Sequence, residues 1–151
     1  MPIVNGQSDL ISDGAGAQGI DPARARGRPI VVAGTVTNAA DDLSGSMYHL
    51  CDLPAACILD AGTALQVENT GFAAIRVGTV DDVDALVSVL KSAGNVHSPV
   101  TQFDSGFGLP LWERLGLAAE PKSGVISLYQ HAIANATGAG TMLFEFHYRF
   151  R

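Results

Sequence analysis

Charge is scarce in this sequence: 16% of its 151 residues are Asp, Glu, Lys or Arg, and lysine occurs only at Lys91 and Lys122. A coiled coil needs abundant Glu and Lys, and a disordered acidic chain needs high charge with few apolar residues. Both are excluded, because 47% of the residues are apolar. The net charge of −6 argues against clustered Lys and Arg that would neutralise phosphates, so no nucleic-acid partner is expected. No apolar run reaches the roughly 20 residues of a membrane helix, so no membrane partner is expected either. The first residues lack a basic stretch followed by an apolar one, and no signal peptide is expected. Two cysteines, Cys51 and Cys57, are too few for a disulfide framework, and a reducing compartment is the default.

Glycine, by contrast, is plentiful, with 17 residues, and unevenly used. Gly6, Gly14, Gly16, Gly19 and Gly27, with Pro22 and Pro29, break every candidate element in residues 1–29. This stretch reads as a flexible N-terminal arm that cannot bury enough surface to fold by itself. Residues 30–151 read as one domain. Within it, residues 30–120 carry eleven acids against three bases, whereas residues 121–151 carry a balance of +2.

The domain is rich in strand signals. Ile30–Thr37 is dense in β-branched residues, Ser46–Leu50 alternates up to Leu53-Pro54, and Cys57–Leu59, Ala64–Glu68 and Phe72–Val77 are further extended runs. In Thr141–Phe150, Met142, Phe144, Phe146, Tyr148 and Phe150 face one way, and Leu143, Glu145, His147 and Arg149 the other. Such a period of two marks a strand with one buried face. Val125–Ile133 precedes it across Asn135–Gly140, which predicts a β-hairpin. Asp81–Ser92 predicts a helix, with first-turn acids at Asp81 and Asp82, Val83, Leu86, Val87 and Leu90 at helical spacing, and Gly94 as its stop. Pro110–Leu117 predicts a second, shorter helix. Together these predict a mainly β chain: an antiparallel β-sandwich of jelly-roll or Greek-key type, with little helix and an extended arm.

Few motifs carry chemistry. Gly14-Ala15-Gly16-Ala17-Gln18-Gly19 matches G-x-G-x-x-G, but no strand precedes it and Pro22 follows, so it reads as arm. Cys51 and Cys57 could pair, or join His49 on a metal, but no second ligand cluster exists, and they read as buried thiols. Asp81, Asp82 and Asp84 lack the Gly and Glu of a calcium loop. Neither Ser46 nor Ser105 sits in a G-x-S-x-G elbow. Asn135-Ala136-Thr137 fits a glycosylation sequon but reads as turn. Trp112 is either an exposed sugar-stacking ring or, with Leu111 and Leu115 beside it, a core or interface anchor. No metal, cofactor or catalytic residue is assigned, and the chain is not expected to be an enzyme.

From Gly27 onward, about four fifths of the chain, an ordered series of stretches resembles small bacteriophage head decoration, or capsid-stabilising, proteins. The series runs Gly34-Thr35-Val36-Thr37, Ala40-Asp41-Asp42, Gly45-Ser46-Met47-Tyr48-His49-Leu50, Leu53-Pro54, Ala74-Ile75-Arg76-Val77-Gly78 and Asp84-Ala85-Leu86. It ends with Gly108-Leu109-Pro110-Leu111-Trp112-Glu113-Arg114-Leu115-Gly116-Leu117 and the stretch Ala134–Tyr148. The resemblance implies a place on the capsid surface of a virion, the major capsid protein as partner, and a homo-oligomer, a trimer. The candidate partner-binding residues are Arg24, Arg26 and Arg28 in the arm, Trp112, and Arg149 and Arg151 at the basic end of the last strand. The alternative is a ligand- or carbohydrate-binding β-sandwich module of a phage tail, neck or fibre.

Overall fold

The computed structural model describes residues 3–7 and 29–150. Its strands are β1 (Asn5–Gln7), β2 (Ile30–Asn38), β3 (Met47–Pro54), β4 (Ile58–Leu59), β5 (Ala64–Gln66), β6 (Ala74–Gly78), β7 (Val87–Leu90), β8 (Val96–His97), β9 (Val125–His131) and β10 (Gly140–Arg149). One short helix, α1 (Leu111–Arg114), starts at Pro110, and a 3-10 turn covers Lys91–Ala93.

The strands form two sheets, ordered β1-β3-β9-β6-β7 and β2-β10-β5-β8, with β4 also on β10. The first long strand pairs with the last (β2 with β10), the second with the next to last (β3 with β9), then β5 with β8 and β6 with β7. A long antiparallel ribbon rolled up on itself produces this order, and it is the wiring of a jelly roll. The mainly β sandwich expected from the sequence is the observed architecture.

The core lies between the sheets. Along β10, Met142, Phe144, Phe146 and Tyr148 are buried. Opposite them across the ladder stand Val36, Gly34, Val32 and Ile30 of β2. The other sheet contributes Tyr48, Leu50, Leu53, Ile75, Val77 and Leu128. A β-bulge between His49 and Cys51 shifts the register of β3 against β9. It turns both Leu50 and Cys51 inward. The alternation after the bulge is therefore out of phase with that before it.

Three expectations change. Residues 81–92 are not a helix: residues 79–86 are a loop, and Val87–Leu90 pairs antiparallel with β6. Thr79 and Asp82 close the start of that loop through Thr79 N–H to Asp82 O at 2.9 Å and Asp82 N–H to Thr79 Oγ1 at 3.1 Å. The β-branched Val87 and Val89 suit a pleated edge, and ladder bonds from β6 outweigh a short amphipathic helix. Second, β9 and β10 are not a hairpin. They belong to different sheets, and the connection between them crosses the end of the sandwich. There Ala136 N–H donates to Asp42 O, and Thr137 N–H to Gly71 O. A Cβ at Gly71 would lie 1.9 Å from Gly138 O, so only glycine admits this crossing. Third, part of the expected arm belongs to the sandwich. Asn5–Gln7 pairs parallel with Met47–His49, and Val4 N–H donates to Ser46 Oγ at 3.0 Å. The rest of the arm, residues 1–2 and 8–28, lies outside the described residues.

Candidate functional site

The two outer faces of the sandwich differ in chemistry. On the sheet containing β3 and β9, cross-strand neighbours place Met47 beside His131, His49 beside Tyr129, and Asp52 beside Ser127. The His49 and Tyr129 rings stack with centroids 4.7 Å apart. His49 Nε2 lies 2.7 Å from Asp52 Oδ1, and the Ser127 hydroxyl donates to that same oxygen. His131 Nε2 lies 2.8 Å from the Thr79 carbonyl oxygen. Serine and imidazole thus both meet the carboxylate. A nucleophilic serine needs the imidazole itself as proton acceptor. This face is a row of mutually paired polar and aromatic groups. The sequence alone hid it, because His49 and Asp52 have opposite parity and only the bulge brings them to one side.

The outer face of the other sheet is apolar and open. Ala33, Gly34 and Thr35 of β2, Leu143, Phe144 and Glu145 of β10, Ala64 and Gln66 of β5, and Val96 of β8 line a groove of about 490 Å³. Leu143 and Val96 are exposed at its wall, and Val31 is exposed farther along β2. Small outward residues, Ala33 and Ala64, flank Glu145 in register and leave the depression. Ala33, an outward-facing alanine in the otherwise β-branched-rich β2, is the sequence signal that could have located it.

A third feature is the loop after β8. Phe103 is 78% exposed, and its φ of 65° lies in the left-handed region, a strain of about 1–3 kcal/mol for such a residue. Asp104 holds the loop in place. Its carboxylate accepts Arg114 Nη1 and Nη2 at 3.1 and 2.7 Å and the backbone N–H groups of Thr101 and Gly106, both at 3.0 Å. Chiefly the Arg114 guanidinium, and then these backbone donors, lower its pKa to about 2, against the penalty of partial burial. A carboxyl depressed in the folded state stabilises above its unfolded value of about 3.9. That contribution is expected to be complete above about pH 5 and lost as pH falls toward 2. Acid unfolding of Asp104→Asn should lack this component; identical acid limbs for the two proteins would contradict it.

Of the residues that the sequence singles out as partner-binding, Arg24, Arg26, Arg28 and Arg151 lie outside the described residues. Trp112 on α1 is half-buried and packs against the core rather than standing free as a platform. Its backbone N–H donates to Ala55 O at 3.1 Å, and Leu111 N–H to Cys57 O at 2.7 Å. Arg149 pairs with Asp60 at 3.2 Å and sits opposite Ile58. The structure therefore ties Trp112 and Arg149 to one connection, residues 55–60, at one end of the sandwich. Cys51 and Cys57 are free, buried thiols; burial raises both, Cys57 to about 12. Among the described residues, no three His, Cys, Asp or Glu side chains converge as a metal site. A scan against family models, a search of curated proteins and a search of solved structures each return no match.

Proposed function

We propose that this protein is a virion structural protein that covers the outside of a bacteriophage head, binding the major capsid protein and stabilising the shell. The observation that carries this reading is where the resemblance falls. Its stretches occupy β2, β3, β6, α1 and β10, so they span both sheets instead of one local motif. The surfaces suit the role. Binding across subunit joints takes area and a few apolar anchors, and many copies on a lattice make modest single-site affinity sufficient. The open apolar face and the fixed Phe103 knob offer such anchors. Quantitative mass spectrometry of purified particles is expected to find the protein at a lattice-related copy number. Its absence from particles would end this reading.

The groove favours a second reading, a ligand- or carbohydrate-binding module of a tail, neck or fibre. That reading requires glycan binding that Ala64→Trp, which fills the groove, abolishes. A blank glycan array removes it.

A further inference from the structure

Phe103 sits where a turn ordinarily places glycine. Thr101–Asp104 is a β-turn closed by Asp104 N–H to Thr101 O at 3.1 Å, and its third residue, Phe103, has a φ of 65°. Turns with a positive φ at the third position take Gly or Asn, because a bulky residue is strained there. The fold offers little to offset that strain. The ring is 78% exposed, and among the described aromatic groups it meets the half-buried Phe107, at 5.1 Å. Yet the turn is held firmly from both sides. Asp104 and Pro99 are both fastened to Arg114 of α1, Pro99 through its carbonyl oxygen, 2.9 Å from Nη2. Gly106 admits that guanidinium: a Cβ there would lie 2.7 Å from Nη1. Backbone strain that its surroundings over-determine clusters at binding sites. The neighbouring sequence states the chemistry of the contact. From residue 92 to residue 112 the only Asp, Glu, Lys or Arg is Asp104, and it is paired with Arg114.

We propose that Phe103 is the anchor of attachment and enters an uncharged, apolar socket on the major capsid protein. The inference rests on the capsid reading above and adds the contact that carries it. Binding energy concentrates in a few rings that fill pockets, and a knob without free charge meets such a pocket with no ion to desolvate. A ring fixed before contact loses little conformational freedom on docking, so the fold bears the strain and docking does not. A residue kept for binding in this way sets stability against attachment: relieving the strain should stabilise the free chain and weaken its hold on the shell.

Phe103→Asn decides it, since asparagine accepts a positive φ and removes the ring. In the full chain its melting temperature is expected to rise by about 2–4 °C. Its binding to heads assembled without this protein is expected to weaken about tenfold or more, the scale of a lost anchor. Phe103→Tyr keeps the ring and should bind as the unaltered chain does. Failure of the unaltered chain to bind such heads ends the capsid reading and the anchor with it. Equal binding by the unaltered chain and Phe103→Asn leaves the capsid reading standing and overturns the anchor alone. A lower melting temperature for Phe103→Asn would show that the ring serves the fold, and would overturn the anchor too. So would binding of the unaltered chain to phosphatidylcholine vesicles that Phe103→Asn abolishes, because the socket would then be lipid and not protein.

Discussion

Phe146→Ala is expected to remove about 3–5 kcal/mol of unfolding free energy. Phe146 is fully buried on β10, opposite Val32 of β2, with its ring 5.7 Å from that of Phe144. Truncation forfeits the transfer free energy of the ring and leaves a cavity. Both sheets press on that cavity, so it cannot collapse freely. Against a typical domain stability of about 5–15 kcal/mol, this is a large share. Two controls separate burial from strand propensity. Phe146→Leu keeps most of the volume and should cost under about 1.5 kcal/mol. Leu143→Ala, on the same strand but 47% exposed on the outer face, should stay within about 0.5 kcal/mol. Urea unfolding followed by Trp112 fluorescence measures all three. Comparable losses for Phe146→Ala and Leu143→Ala would contradict the assignment of faces.

Asn38→Ala should cost about 2–4 kcal/mol although it deletes no apolar surface, because buried groups lose their partners. Asn38 is buried at the end of β2. Its Oδ1 accepts Gly71 N–H at 3.0 Å, and its Nδ2 donates to Gly138 O at 2.9 Å and Ala39 O at 3.0 Å. The side chain thus clasps the turn at 69–71 to the crossing at 135–140, where Thr137 and Thr141 add backbone bonds to Gly71 and Asn69. Without it, the Gly71 N–H and Gly138 C=O remain in a closed space with nothing to bond. Asn38→Asp restores the acceptor but sets a carboxylate against two carbonyl oxygens, so it should rescue little at neutral pH. Hydrogen exchange should show new opening at 69–71 and 135–140 in both variants. Unchanged protection there would refute the clasp.

Side-chain alternation is legible in the sequence itself. The buried set on β10, the span of β2 and the inward Tyr48 and Leu50 of β3 are where a period of two places them. Candidate sites are far less legible. The apolar groove depends on strands remote in sequence lying side by side, and the row of His49, Tyr129, Asp52 and Ser127 depends on a bulge no local pattern announces. Trp112 is legible as a core or interface anchor because Leu111 and Leu115 flank it, and it packs against the core.

By itself, then, the sequence determined that the chain builds strands with one buried face, since alternation is a property of each strand's own backbone. Which strand pairs with which was decided only in the tertiary structure. Val83, Leu86, Val87 and Leu90 read as a helix until β6 supplied hydrogen-bond partners to residues 87–90. β9 and β10 read as a hairpin until β3 and β2 claimed them for opposite sheets. The reason is physical: a local turn signal permits a chain reversal, but the pairing that survives is the one that lets both sheets close over a single core.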